Sequence, residues 1–301
     1  MNKLLVVGGL GYLGSEVVKR FELKSDFEVT VLDINLFDRK FKPAVAKVVG
    51  ENFVTTDLSY YKQFDKVVVC SDIDIPALYD SNAVADKYLS SYQCALVDLV
   101  KTGIQVVWVA PTESSQSIKD FNDATIRKMV ELGDIAKVNI RKCPHLYGPS
   151  DSMRSDVFLN QVIRDFIMTD SFVLHSDPFE IIDFMNIDSY MDFLAPAIAT
   201  NHHLKVTDYY GHSSLTRIMI CNCINWIMGA QYELSVASTD ISEINDARIN
   251  FNERMALESF IKTITSMIQD GQCMEFVDIA SDNNIAVSNF VVGYEFGNKL
   301  I

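Results

Sequence analysis

The chain has 301 residues, 49% of them hydrophobic and 11% aromatic, which is enough to bury a sizeable core and is unlike a disordered composition. Its formal charge of −14 argues against non-specific binding to nucleic acid or to an anionic membrane, and leaves room for a phosphorylated ligand held by backbone amides. That length fits one large α/β domain, or a domain with a smaller partner.

The first predicted element is an apolar strand over 3–7, within KLLVVGGLGYLG, and it runs straight into a glycine-rich turn and a helix over 12–23. The glycines satisfy both GxxGxxG (Gly8, Gly11, Gly14) and GxGxxG (Gly9, Gly11, Gly14). Glycine permits a tight turn of positive φ, lets backbone amides approach a pyrophosphate, and lets the helix pack closely on the strand. The helix start at Tyr12, Leu13 and Gly14 then offers unpaired N–H groups and a partial positive charge. The next strand, over 28–33, ends on Asp33, 19 positions past Gly14. A carboxylate there takes both hydroxyls of an adenosine ribose and repels a 2′-phosphate, so the expected cofactor is NAD rather than NADP.

Further strands are predicted over 45–49, 66–70, 104–110 and 137–142, with helices over 79–101, 122–132 and 155–168. In the long helix Ala85, Leu89, Leu96 and Val100 recur at helical spacing. VVVC and IQVVWVA are near-continuous apolar runs, as in a parallel sheet covered on both faces. The alternation predicts an α/β fold, a Rossmann-like doubly wound parallel sheet over 1–150 with its ligand at the carboxyl ends of the strands. A smaller mixed α/β C-terminal substrate-binding part occupies 151–301, with about 180–207 returning to the main sheet. It holds strands near 172–174, 181–185 and 204–207 and helices near 188–200, 213–228 and 252–268, and closes on AVSNFVVGYEF as one or two strands.

The opening MNKLLVVGG belongs to the first strand rather than to a signal peptide, and no apolar run approaches the ~20 residues that span a bilayer. The six cysteines are scattered, with one CxC and no CxxC, and read as buried thiols in a reducing compartment, so the expected location is cytoplasmic. The five histidines show no metal-ligand spacing, and no structural metal is expected.

Several stretches, in order, resemble the extended short-chain dehydrogenase/reductase family, the NAD-dependent nucleotide-sugar epimerases and dehydratases. GGLGYLG resembles its cofactor loop, and TTDLSYY (55–61) the segment whose aspartate, here Asp57 followed by Leu58, contacts adenine. HLYGPS (145–150) resembles the YGP signature after the sixth strand. EIIDFMNIDSYMDFLAPAI (180–198) resembles the strand and helix of the RDFxxVxD motif, and ALESFIKTITSMI (256–268) the C-terminal helix. Asp57 has a second reading, as the cap of a helix beginning near Ser59.

The resemblance implies a Tyr-x-x-x-Lys pair, whose lysine binds the nicotinamide ribose and whose tyrosine removes a hydroxyl proton while hydride leaves for NAD. The expected place reads Ala124-Thr-Ile-Arg-Lys128: the lysine is present, the tyrosine is Ala124, and no other tyrosine lies in 109–146. The strand-five signature reads VAPTESS, with Thr112 as the best match for the catalytic hydroxyl and Ser114 and Ser115 as alternates. CSDID (70–74) places Asp72 and Asp74 near the pyrophosphate or nicotinamide, Ile182 stands where an arginine is expected, and His145 where an asparagine is. Tyr147, His145 and Tyr92 are the candidate substitute bases, and Arg154, Arg164 and Arg217 the candidates for a substrate diphosphate.

The function so implied is an NAD-dependent nucleotide-sugar oxidoreductase acting through a transient keto sugar, with Lys128 and Thr112 as its catalytic residues. The alternative is a dinucleotide-binding protein that has lost turnover with its tyrosine and serves as a redox sensor or assembly subunit. The resemblance also implies a homodimer through the helices at 79–101 and 122–132.

Overall fold

The computed structural model describes residues 1–35, 41–71, 82–112, 116–153, 157–209, 212–229 and 232–236, with residues 255, 257–259, 261 and 262 of a later helical stretch. Strand β1 (Asn2–Val7) carries Leu4, Leu5, Val6 and Val7, none more than 1% exposed. Such a run lacks polar alternation because helices cover both faces of the sheet. It pairs in parallel with β2 (Phe27–Leu32) on one side and β4 (Lys66–Val69) on the other. Outside β2 lies β3 (Lys47–Val49); outside β4 lie β5 (Gln105–Ala110), β6 (Val138–Lys142) and β10 (Lys205–Thr207). The result is a seven-stranded parallel sheet of order β10-β6-β5-β4-β1-β2-β3. The chain winds outward through β2 and β3, then returns to the far side of β1. Strand order reverses between β1 and β4, and it is at the carboxyl ends of such a switch point that open α/β sheets bind their ligands.

Helices α1 (Tyr12–Glu22) and α6 (Ile187–Ala199) cover one face, over Leu4, Val6, Val68, Val107 and Val109. Helices α3 (Asn82–Lys101) and α4 (Gln116–Glu131) cover the other, over Leu5, Val7, Val67, Val106 and Trp108. The short α2 (Leu58–Tyr61) joins β3 to β4. The spacing predicted a helix over 122–132; α4 starts earlier, at Gln116, because Ile118 and Phe121 extend its buried stripe toward the N-terminus. At the amino edge Lys66 is 5% exposed and its Nζ donates to Ile198 O at 2.5 Å and Thr200 O at 2.6 Å, tying β4 to the end of α6.

The smaller part begins with β7 (His145–Tyr147) and α5 (Phe158–Thr169). Strands β7, β9 (Ile181–Asn186) and β11 (Ser213–Thr216) form a three-stranded sheet of order β11-β9-β7, and β8 (Ser171–Leu174) pairs with β12 (Glu233–Val236). The helix expected over 213–228 divides into β11 and α7 (Arg217–Ile227). Ser213 and Leu215 alternate inward with Ser214 outward, which suits a strand, and Thr216 caps α7 by accepting from Met219 N–H. Of the segment 180–207, β10 lies in the main sheet and β9 in the small one. One apolar cluster runs unbroken from Val17 and Val18 of α1 to Phe166 of α5 and Ile224 of α7, so the two parts share a core. The described residues of the predicted helix over 252–268 are helical, and the closing AVSNFVVGYEF lies outside the described residues.

Candidate dinucleotide site

The turn after β1 has no room for side chains. Gly8 takes φ +74, and a Cβ there would lie 2.8 Å from the Ser71 backbone beyond β4. A Cβ on Gly14 would meet the Gly8 carbonyl oxygen at 2.0 Å, so only glycine lets α1 start this close to β1. Gly11 is the N-cap of α1 and no side chain caps the helix. The first intrahelical bond is Ser15 N–H to Gly11 O at 2.9 Å, which leaves the amides of Leu13 and Gly14 without an intrahelical acceptor. Asp33, just past β2, accepts from Leu10 N–H at 2.9 Å through Oδ2 and from Asn35 N–H at 2.8 Å through Oδ1. The carboxylate thus braces the glycine turn from the next strand, and its remaining lone pairs stay available to hydroxyl donors.

A second loop is fastened to this turn, and nothing in the sequence reading foresaw it. Tyr12 Oη donates to Gly148 O at 2.7 Å, Ser15 Oγ meets Ser150 Oγ at 3.1 Å, and Ser152 Oγ donates to Leu10 O at 2.7 Å. Lys19 and Asp151 close the outer rim at 2.7 Å. The only sequence signal was the run of serines after YGP, and their partners lie more than a hundred residues away.

The other predicted residues scatter around this edge. Asp57 caps α2 through Ser59 N–H at 2.7 Å, hydrogen bonding from the Ser59 side chain and then from its backbone holds the carboxyl below the usual range, and Leu58 follows half-exposed. Thr112 donates to Pro144 O at 3.1 Å, at the ends of β5 and β6. Asn122 Nδ2 donates to Pro111 O at 2.9 Å, which sets the level of α4 against the end of β5. Lys128 lies six residues further along α4, about 9 Å toward the amino edge at ~1.5 Å per residue. It is exposed, and its Nζ donates to Gln93 Oε1 of α3. The structure therefore brings Gly8, Gly11, Tyr12, Leu13, Gly14 and Asp33 together and leaves Lys128 apart from them. The buried residues of α4 nearest the carboxyl edge are Ile118, Phe121 and Asn122, none of which is ionisable. Asp72, Asp74, Ser114, Ser115 and Arg154 lie outside the described residues.

The candidate substitute bases are poorly placed to move protons. Tyr92 is fully buried against Ser71 Oγ at 2.8 Å, and burial drives its phenol far above the ordinary value. Tyr147 is fully buried, its ring 6.2 Å from that of Phe184. Burial first, and then the Arg217 charge, push His145 down to about 4, so its imidazole is neutral at pH 7. Arg164 pairs with Asp165 at 2.6 Å, and Arg217 pairs with Glu180 at 2.7 Å. Among the described residues no three His, Cys, Asp or Glu side chains converge as metal ligands, and no helix is long and apolar enough to cross a membrane.

A parallel sheet of this order, a glycine turn at its switch point and a smaller mixed lobe define an α/β dinucleotide-binding architecture. More narrowly, the fold is similar to that of solved nucleotide-sugar epimerases and dehydratases. No protein-family model and no curated protein matches the sequence. Solved structures do resemble the fold. A UDP-N-acetylglucosamine 4-epimerase from Methanobrevibacter ruminantium, in complex with UDP-N-acetylmuramic acid, superposes with a TM-score of 0.68 at 13% identity, covering 88% of this chain and 99% of its own. A dTDP-glucose 4,6-dehydratase from Bacillus anthracis, in complex with NAD, gives 0.67 at 14% identity, covering 92% and 100%. The Bordetella bronchiseptica enzyme WbmF, in complex with NAD+, gives 0.66 at 16% identity, covering 96% and 98%.

Proposed function

We propose that the chain binds NAD at its glycine turn and acts on a nucleotide sugar as an epimerase- or dehydratase-type oxidoreductase, by way of a transient keto sugar. The observation that carries this reading is the glycine turn, where the amides of Leu13 and Gly14 have no intrahelical acceptor and Asp33 braces Leu10 from the neighbouring strand. In this reading Gly8, Gly11 and the first amides of α1 hold the pyrophosphate, Asp33 takes the adenosine ribose hydroxyls, and Asp57 with Leu58 borders the adenine. Bound there, NAD supplies a hydride acceptor. Thr112 orients the sugar hydroxyl at the ends of β5 and β6. Lys128, engaged by Gln93, takes no part. The likeness to solved structures that hold NAD or a UDP-sugar supports the same reading.

A second reading is favoured by one observation: α4 carries Ala124 at the expected tyrosine position, and the residues it buries nearest the carboxyl edge are Ile118, Phe121 and Asn122. The chain then binds NAD and a nucleotide sugar without turning them over. Losing a general base costs on the order of 10²- to 10⁴-fold in rate, so the two readings differ measurably.

A thermal-shift titration with NAD, NADH, NADP and NADPH tests what they share. A ligand at 100 times its Kd adds about 2.7 kcal/mol, and the shift is expected with NAD and NADH alone. Cofactor reduction on adding UDP- or dTDP-sugars then separates the enzyme from the binder. No shift with any of the four, in protein shown by absorbance to carry no bound nucleotide, rejects both.

A further inference from the structure

A residue beyond β7 reaches into the glycine turn and fixes one peptide unit of it. The C=O of Leu10 and the N–H of Gly11 are the two ends of a single planar unit. Ser152 Oγ donates to Leu10 O at 2.7 Å, and Gly11 N–H donates to Gly8 O at 3.0 Å. The preceding unit is held as well, since Leu10 N–H donates to Asp33 Oδ2. The unit held by Ser152 leads directly into Gly11, the N-cap of α1. Through it the hold of Ser152 passes to the start of the helix, where the amides of Leu13 and Gly14 have no intrahelical acceptor. Leu10 is buried, so without the serine its carbonyl has no partner in place, and an unsatisfied buried carbonyl is costly.

The loop that carries Ser152 is itself anchored. Gly148 takes φ +128, and a Cβ there would lie 2.9 Å from Ile187 Cγ2 and 3.1 Å from Asn186 Nδ2, so bare backbone crosses the start of α6. Its carbonyl accepts from Tyr12 Oη, and Asn160 Nδ2 of α5 reaches the same hydroxyl at 3.5 Å. Ser150 Oγ donates to Tyr12 O at 3.3 Å, and Ser152 N–H donates to Ser150 Oγ at 3.3 Å. Tyr12, Ser15, Ser152 and Asn160 are all buried, so water competes little for these bonds. The Lys19–Asp151 pair at the rim differs. It joins two side chains, 33% and 62% exposed, and involves no backbone group of the turn.

We infer that Ser152 is a positioning residue for the dinucleotide: acting through Leu10 O, it sets the turn whose amides take the pyrophosphate, so the cofactor site depends on the loop after β7. This rests on the NAD reading above. Ser152 has one O–H donor, and Leu10 O engages it. Replacing the serine therefore alters the turn while Asp33 stays in place for the ribose.

Calorimetry with NAD and hydrogen exchange of the unliganded protein, on wild type, S152A and D151N, test the role. S152A is expected to weaken NAD about tenfold and to speed exchange over residues 8–14, with exchange over β5 unchanged. D151N opens the exposed rim of the same loop and is expected to change neither readout. Y12F, which frees the loop at Gly148 instead, is read in the same two ways and takes the place of S152A if that variant does not fold. NAD affinity unchanged in S152A, equal weakening by D151N, or exchange that rises as much over β5 as over 8–14 overturns the role. A wild type that binds no NAD rejects the cofactor reading, and faster exchange confined to 8–14 in S152A then still upholds Ser152 as the residue that sets the turn.

Discussion

The glycine turn and the start of α4 approach the same edge of the sheet, and they have kept different things. At the turn Gly8, Gly11 and Gly14 leave the backbone bare, and Asp33 holds Leu10 from the next strand. On α4 the expected tyrosine is Ala124, and the buried residues near the edge are apolar or amide. The difference has a physical basis. Gly14 cannot change without driving a Cβ into the Gly8 carbonyl, so packing alone keeps it, whether or not a dinucleotide binds. Half-buried Ala124 answers to no such demand. A turn preserved by packing is therefore weaker testimony to a cofactor than a residue that nothing but a ligand would keep.

Gly11 separates the two demands, and with Gly14 it makes the largest prediction. Gly14→Val is expected to cost about 3 kcal/mol or more, read as a fall in the urea midpoint, because its obstacle is backbone that cannot move aside. A Cβ on Gly11 would lie 3.1 Å from Gly8 O, a contact that a small shift relieves, so Gly11→Ala is expected to cost about 1 kcal/mol. If the turn serves NAD, Gly11→Ala abolishes the NAD thermal shift while the protein stays folded. A variant that keeps the shift would break the comparison, leaving packing as the turn's whole purpose.

On the chemical side, His145 gives the next effect. Its pKa falls from 6.5 unfolded to about 4 folded, so between those values the unfolded chain binds more protons than the folded one. Stability from this group is full above about 6.5 and is lost as pH falls toward 4, by up to about 3 kcal/mol. Denaturant midpoints measured across that window should slope steeply in wild type and flatten in His145→Gln. An unchanged slope would mean that His145 is more open to water than its neighbours imply, and would return it to consideration as a base.

Asp33→Ala comes third. It leaves the Leu10 and Asn35 amides without their acceptor, expected to cost about 1–3 kcal/mol, and it removes the group that repels a 2′-phosphate. The NAD shift should vanish or move toward NADP. A variant destabilised by that amount with its NAD preference intact would show the carboxylate to be a brace only.

The turn was legible in the sequence because its physics is local: four glycines between an apolar run and a helix admit few structures. The parallel strands were legible for a similar reason, since Val67, Val68 and Val69 on one strand leave no face for water. The start of α4 was not, because its polar first turn hides the early stripe residues Ile118 and Phe121. Strand β11 was hidden by its brevity and by its lead into α7. The contacts of Tyr12 with Gly148 and of Ser152 with Leu10 join residues far apart in the chain, and no local pattern announces them. Lys128 followed from counting four residues along a helix, which fixes the side on which a residue lies but not its height above the sheet.

Lys128→Ala carries the smallest expected effect and bears most directly on the chemical half of the comparison. Its Nζ reaches Gln93, whose Nε2 in turn donates to Thr125 Oγ1 at 2.8 Å, so the lysine completes a half-exposed polar patch between α3 and α4. Removing one exposed partner of such a patch is expected to change stability by no more than about 0.5 kcal/mol. The NAD shift should be the same in both proteins, because Lys128 lies about 9 Å further along α4 than Asn122, the residue level with the end of β5. Loss of the shift in a variant of undiminished stability would require the lysine to leave Gln93 and swing toward the nicotinamide ribose when cofactor arrives. The helix would then keep half of its catalytic pair, and the enzyme reading would gain over the binder.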